Sequence, residues 1–133
     1  MKPLPKPNGV TQHFWSSSAA GKFVFQDCGK CGHRQFPPRL TCTNCHNVDL
    51  GWREAAGRGT VYSYTVVHRA PLEAFKADTP YVIGIVELEE GVRAMMNVRV
   101  ADPASVTIGM PVEIFFEPTV DGAPPLPQAR ARG

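Results

Sequence analysis

Four cysteines in two pairs are the residues of this sequence best suited to chemistry. Cys28 and Cys31 form one C-x-x-C pair, and Cys42 and Cys45 form a second pair after ten intervening residues. Each pair can turn both sulfurs toward one ion, and four thiolates complete the tetrahedral shell of zinc with no position left for water. The spacing therefore predicts a structural site, with Zn²⁺ as its cofactor.

Other uses of these cysteines fit the sequence less well. Cys42 to His46 spell C-x-x-C-H, a haem attachment pattern, but this pattern belongs to exported proteins and leaves the first pair unexplained. A thioredoxin-like dithiol needs a β-α-β context that the sequence lacks. His33 or His46 can replace a cysteine as a ligand, although four sulfurs already fill the shell.

Catalytic constellations are hard to find outside the cysteines. The sequence has no nucleophile-elbow serine, no Gly-rich phosphate loop and no H-E-x-x-H motif. His68 with Glu73 or Asp78 can form an acid/base pair, but a histidine at a strand end near a loop carboxylate is a common surface feature. We therefore expect no catalytic residue in this chain.

The composition predicts a cytoplasmic protein of one domain's length. The chain has 133 residues, and 43% of them are hydrophobic. No stretch approaches the roughly 18 apolar residues of a membrane helix, and no apolar segment follows the N-terminal lysines as in a secretory signal. A reducing cytoplasm favours a metal site over two disulfides.

Runs of β-branched and aromatic residues follow the cysteines and predict strands. Glu89-Glu90-Gly91 is a short turn that joins two of the runs as a hairpin. With no long helix, five short strands favour a closed barrel of the oligonucleotide/oligosaccharide-binding (OB) type. The predicted fold is therefore mainly β, with a short N-terminal helix, a zinc ribbon and a barrel of five strands, which are Val48–Arg53, Gly59–His68, Tyr81–Leu88, Val92–Val100 and Val112–Phe116.

The chain divides into four predicted segments: an arm with a short helix at 1–21, the ribbon at 22–55, the barrel at 56–117 and a disordered Pro-rich tail at 118–133. Thr11 is placed to cap the helix, which would run through Ala20. Phe14 and Trp15 either cover the ribbon or barrel, or anchor a partner protein. The long connection Arg69–Pro80 is expected to be a packed loop or a lid over one end of the barrel.

The charge distribution argues against a nucleic-acid partner. Residues 57–117 contain five basic and eight acidic side chains, which is a poor surface for tracking phosphates. Aromatic residues on the predicted strands could stack on bases, although such residues more often lie in the core; they are Trp52, Tyr62, Tyr64 and Tyr81. A single-stranded nucleic-acid-binding module is therefore kept as the alternative function.

Several motifs together resemble a known family. They are the cysteine pairs, F-P-P-R at 36–39, G-x-G-x-V-Y-S-Y-T at 57–65, and the segments 80–88 and 108–112. In combination they are similar to the "domain of unknown function thirty-five" family, over about Phe14 to Glu117. The resemblance implies a rubredoxin-like zinc ribbon joined to a C-terminal OB fold. This sequence departs from the family at its N-terminal helical segment, which is shorter than the helical hairpin of many members.

The resemblance also implies a function. Family members are accessory proteins that bind thiolase-like enzymes as hetero-oligomers and help to hold or position an acyl-CoA thioester. Their partners include thiolase-type aldolases that act on steroid side chains, which connects the family to lipid and steroid metabolism. The resemblance therefore implies a non-catalytic accessory subunit, with acyl-CoA as its ligand.

Arg39 is the candidate residue for the CoA phosphate. It follows Pro37 and Pro38 between the two cysteine pairs, and a guanidinium on a rigid base can bind phosphate with two hydrogen bonds. Arg39 can equally clamp the ribbon to the barrel by bonding a backbone carbonyl or a carboxylate such as Asp49. Both roles are carried forward to the structure.

Overall fold

The computed structural model describes residues 8–69, 79–118 and 123–132. The chain begins with one helix, α1 (Gln12–Ala19), and continues into the first three strands, β1 (Val24–Cys28), β2 (Arg34–Gln35) and β3 (Leu50–Glu54). These strands form an antiparallel sheet in the order β2-β1-β3. This sheet and its cysteine loops are the predicted ribbon.

The remaining strands close into a barrel. They are β4 (Arg58–Val67), β5 (Tyr81–Leu88), β6 (Arg93–Arg99), β7 (Pro111–Glu117) and β8 (Leu126–Ala131), in the order β4-β5-β6-β8-β7, with β7 pairing back to β4. Alternate residues of β5 face the interior, as the period of a half-buried strand requires. The five-stranded barrel, the ribbon and the short helix confirm the predicted fold class.

The predicted membership of the barrel is wrong at one strand. The strand predicted at Val48–Arg53 for the barrel is β3 (Leu50–Glu54), which pairs with β1 in the ribbon. The fifth barrel strand comes from the segment predicted to be a disordered tail. Residues 126–131 fill the gap between β6 and β7, where they pair parallel to β6 and antiparallel to β7. The small side chain of Ala129 is fully buried there. The edges of β6 and β7 offer unpaired backbone groups to this segment, and its composition alone does not predict that it forms a strand.

The predicted helix is confirmed, with Thr11 at its N-cap position and Ala19 as its last residue. The Thr11 side chain makes no capping hydrogen bond, and the Asn8 side chain accepts instead from the backbone N–H groups of Val10 and Thr11, both at 2.9 Å. Gly21 follows the helix with φ +78°, a left-handed conformation that suits glycine at a helix end. No helix in the described ranges is long and apolar enough to cross a membrane.

One core runs through the ribbon and the barrel. Phe14 of α1 packs edge-on against Phe23, with ring centroids 5.4 Å apart, and both rings contact Phe36. The same cluster of buried residues continues into the barrel through residues such as Val61 and Val86. Phe14 therefore covers the ribbon rather than anchoring a partner, and Trp15 packs against the core only in part.

Two predictions involve residues that the structure does not describe. Residues 70–78 of the Arg69–Pro80 connection lie outside the described residues, so the expected loop or lid stays a prediction. The same holds for the pairing of His68 with Glu73 or Asp78, since both carboxylates lie outside them.

Candidate functional site: a zinc ribbon and a basic groove

The four cysteines converge as their spacing predicts. Their sulfurs all lie within 4.8 Å of one another, and the closest approaches are 3.6 Å between Cys28 and Cys45 and 3.6 Å between Cys31 and Cys42. Tetrahedral zinc with Zn–S bonds of about 2.3 Å places its sulfurs about 3.8 Å apart. The arrangement therefore fits a four-sulfur zinc site that has no position left for a substrate.

The two cysteine loops are built alike. In the first, the Gly32 N–H donates to the Cys28 carbonyl at 3.0 Å; in the second, the His46 N–H donates to the Cys42 carbonyl at 2.9 Å. The residue after each pair is left-handed, with φ +77° at Gly32 and φ +65° at His46. His46 thus occupies the turn position of the second loop. Among the described residues, the group that could hold a metal ion includes neither His33 nor His46.

Hydrogen bonds to sulfur prepare the thiols for metal. The side chain of Asn44 donates to the sulfur of Cys31 at 3.6 Å, and together with the backbone N–H of His33 it lowers the pKa of Cys31 to about 6. The Cys42 sulfur accepts from the backbone N–H groups of Asn44 and Cys45. A thiol that ionises near neutral pH is a ready metal ligand, and a divalent cation displaces the protons of the others.

Two buried glutamines hold the ribbon loops, and sequence analysis missed both. Gln26 of β1 brackets Arg39: its Oε1 accepts from the Arg39 N–H, and its Nε2 donates to the Arg39 carbonyl, each at 2.8 Å. Gln35 of β2 donates to Gln26 at 2.8 Å and accepts from the Thr43 N–H at 2.9 Å. The sequence does place Gln26 directly after the apolar run 23–25. A polar side chain in such a strand is buried only when its polar atoms are hydrogen-bonded, so this position could have indicated a buried structural glutamine.

The side chain of Arg39 is not a clamp within the described part of the chain. Its guanidinium is exposed and makes no hydrogen bond or ion pair with the described residues, including Asp49. The backbone of Arg39 performs the structural role through Gln26. This arrangement holds the base of the side chain in place and leaves its five N–H donors free for a ligand.

Arg39 lies on a groove between ribbon and barrel, which we call the joint groove. The groove has a volume of about 320 Å³ and runs between ribbon residues 33–39 with Thr43 and barrel residues 91–93. Arg34 spans the joint by donating to the carbonyl of Glu90 at 3.0 Å, and the carboxylate of Glu90 accepts from the Ala56 N–H at 2.9 Å. The β5–β6 turn is thereby tied to the ribbon.

The fold and the metal site define a class of protein: a cysteine-liganded zinc ribbon joined to an OB-type barrel. The model of the ChsH2 rubredoxin-like zinc ribbon domain matches residues 15–50, and that of the ChsH2 C-terminal OB-fold domain matches residues 52–117. Among solved structures, a chain of the "Ltp2-ChsH2(DUF35) aldolase" superposes with a TM-score of 0.82 at 35% identity, covering 96% of this chain and 98% of that one. This chain belongs to the DUF35 family.

Two curated relatives illustrate the family. A DUF35 domain-containing scaffold protein of Methanocaldococcus jannaschii is 42% identical over 90 residues, which are 67% of this chain and 63% of that protein. The 3-oxo-4,17-pregnadiene-20-carboxyl-CoA hydratase alpha subunit of Mycobacterium tuberculosis is 40% identical over 112 residues, which are 84% of this chain and 35% of that protein. The chain thus spans about a third of the length of the hydratase subunit.

Proposed function

We propose that this chain is a non-catalytic accessory subunit that binds a thiolase-like enzyme as a hetero-oligomer and helps to bind or position acyl-CoA. The observation that carries the proposal is the similarity along almost the whole chain to a chain of the Ltp2-ChsH2(DUF35) aldolase. Four free thiols that converge on one metal site also suit a reducing cytoplasm.

The distribution of reactive side chains supports an accessory role. Among the described residues, the cysteine cluster is the one group of three or more His, Cys, Asp or Glu side chains that could converge on a metal ion. Its four sulfurs fill a tetrahedral shell, so a metal there has no open position for Lewis-acid chemistry on a substrate. Turnover is therefore assigned to the partner enzyme.

The ligand half of the proposal depends on Arg39. Its free guanidinium lies on the joint groove and has a backbone held by Gln26, and both features suit recognition of a phosphate group of CoA. The Mycobacterium tuberculosis relative is named as the alpha subunit of a carboxyl-CoA hydratase, and this name is consistent with a CoA ligand.

Reconstitution tests the proposal. We expect the isolated chain to show no turnover of acyl-CoA thioesters. We expect a thiolase-like partner enzyme to gain at least ~10-fold in activity when this chain is added, as one lost transition-state contact of a few kcal/mol would correspond to. Analytical size exclusion should show the two proteins co-eluting. Robust turnover by this chain alone, or separate elution with unchanged enzyme activity, would overturn the accessory role.

Exposed aromatic residues keep single-stranded nucleic-acid binding as the second candidate. Tyr62 and Tyr64 of β4 are 47% and 37% exposed, but the guanidinium of Arg93 already lies 3.8 Å from the Tyr62 ring centroid. Titration with a labelled oligonucleotide at two salt concentrations separates the candidates, because phosphate tracking weakens steeply with salt. Tight binding with that salt dependence would favour the nucleic-acid function.

A further inference from the structure

Several arginines outside the joint groove form ion pairs with carboxylates. Four of these pairs have distances of 2.9–3.0 Å: Arg53 with Asp27, Arg58 with Glu89, Arg99 with Glu117 and Arg130 with Glu113. The lining of the joint groove includes three arginines and a histidine, and it includes no carboxylate. Arg93 is paired with Glu87 at 2.9 Å, whereas Arg34 and Arg39 form no ion pair with a described carboxylate. The lining of the groove therefore carries a net positive charge.

Each of the three arginines is held on one side and has donors left on the other. Arg93 donates through Nε to Glu87 at 2.9 Å and lies over the ring of Tyr62, which leaves donors of its guanidinium group for a ligand. Arg34 uses Nη1 to bond the Glu90 carbonyl. Arg39 uses none of its side-chain donors on described residues. The guanidinium groups of Arg34 and Arg93 are already held, so they lose less conformational entropy when a ligand arrives, whereas Arg39 is held only through its backbone.

The two sides of the groove belong to different parts of the molecule. Arg34 and Arg39 come from the ribbon, whereas Arg93 comes from strand β6 of the barrel. Thr43 and His33 add hydrogen-bonding groups on the ribbon side and contact each other at 3.0 Å between Oγ1 and Nε2. Three arginines that line one groove match a dianionic group with three terminal oxygens better than a singly charged diester.

We propose that the joint groove is a binding site for a phosphate monoester, with Arg39 of the ribbon and Arg93 of the barrel as its two principal ligands. The inference rests on the proposed function for its ligand, since the phosphate monoester of CoA is the 3′-phosphate of its ribose. The whole groove, at about 320 Å³, has room for the phosphate and part of the attached nucleoside. The site requires both the ribbon and the barrel, so neither half alone binds the group.

Matched nucleotides test the site on the complex of the full chain with its partner enzyme. The probes are CoA, dephospho-CoA, which lacks the 3′-phosphate, and adenosine 3′,5′-bisphosphate, which carries it without the pantetheine arm. We expect the wild-type complex to bind CoA at least ~10-fold more tightly than dephospho-CoA in calorimetric titrations, as loss of a charged hydrogen-bonded group predicts. Equal affinity for both would overturn the proposal.

Variants locate the phosphate. Arg39→Ala and Arg93→Ala should each abolish most of the preference for CoA and leave the affinity for dephospho-CoA within ~2-fold, because the second probe never makes the contact. Lys22→Ala is the control, since it removes a positive charge from the exposed ribbon surface outside the groove lining. It should keep the full preference; a loss equal to that of Arg39→Ala would show a general charge effect and overturn the site.

The bisphosphate separates the two proposals. If the complex binds adenosine 3′,5′-bisphosphate in an Arg39-dependent way but shows no affinity for CoA, the groove is supported and the acyl-CoA half of the proposed function fails. If the complex binds CoA but neither arginine variant changes the preference, the proposed function stands and the groove is rejected.

Discussion

Cys42 is the most enclosed of the four sulfur ligands. It is fully buried, accepts two backbone N–H groups, and lies 3.6 Å from the sulfur of Cys31. Zinc binding to small four-ligand sites supplies an apparent 10–16 kcal/mol or so, and in such sites it is also folding free energy. Removing this one ligand therefore affects the whole ribbon.

We predict that Cys42→Ser lowers bound zinc from one per chain to near zero and lowers the melting temperature. Elemental analysis of natively purified protein and a thermal denaturation curve measure the two effects. Iron in place of zinc in the wild type would contradict the metal assignment alone, since iron accepts the same four-sulfur geometry. Retention of zinc by the variant would contradict the four-sulfur shell.

His46→Gly is the matched control in the same loop. His46 has a left-handed backbone, φ +65°, which glycine adopts without strain. We expect this variant to keep its zinc and to match or exceed the wild-type stability, by at most about 1 kcal/mol. Loss of metal would show that the imidazole is a ligand, against the sulfur geometry.

At the scale of elements, β8 completes the barrel by pairing with two strands. It lies antiparallel to β7 over residues 126–131 and parallel to β6 at Ala129 and Arg130. The buried side chain of Gln128 accepts from Arg99 of β6 at 2.8 Å, and Arg130 pairs with Glu113 of β7. Without this strand, β6 and β7 would each expose a row of unpaired backbone groups.

We predict that Ala129→Asp lowers the free energy of unfolding by about 3–5 kcal/mol, because it places an uncompensated charge in the core. The control is Ala131→Asp, two residues later on the exposed end of the same strand, which should change stability by about 0.5 kcal/mol or less. Urea denaturation measures both. Equal, small effects would mean that residues 126–131 are a solvated tail in solution.

At the scale of the whole molecule, buried residues of the ribbon and the barrel belong to one cluster. The buried cluster includes Phe14 of the helix, Phe23 and Phe25 of the ribbon, and Val86 and Val112 of the barrel. A hydrogen bond from Arg34 of the ribbon to the Glu90 carbonyl of the barrel also crosses the joint. Units that share a core are expected to unfold together.

We predict one cooperative unfolding transition for the zinc-bound protein. Trp15 and Trp52 both lie in the helix and ribbon half, so tryptophan fluorescence follows that half, whereas far-UV circular dichroism follows mainly the barrel strands. The urea midpoints from the two probes should coincide, and removal of zinc with a chelator should shift both. Different midpoints would mean that the ribbon and the barrel unfold as separate domains, with a boundary near residue 55.

The sequence by itself determined the features that are recorded in local patterns. Two C-x-x-C pairs are enough to predict the metal site, because loop geometry acts over a few residues and thiolate chemistry is specific. The strands β4 to β7 follow from runs of β-branched residues, whose period matches a half-buried sheet. For the side chain of Arg39, the sequence left two roles open: a ligand for a phosphate group, or a clamp between ribbon and barrel.

Only the tertiary structure decided which strands pair and which side chains meet. Residues 126–131 carry Pro, Gln and Arg, so their local preference for a strand is weak, yet two open edges of the barrel recruit them. Gln26 and Arg39 lie 13 residues apart, and Arg39 and Arg93 line one groove only because ribbon and barrel join there. Such contacts depend on the shape of distant surfaces, which a local sequence pattern does not encode.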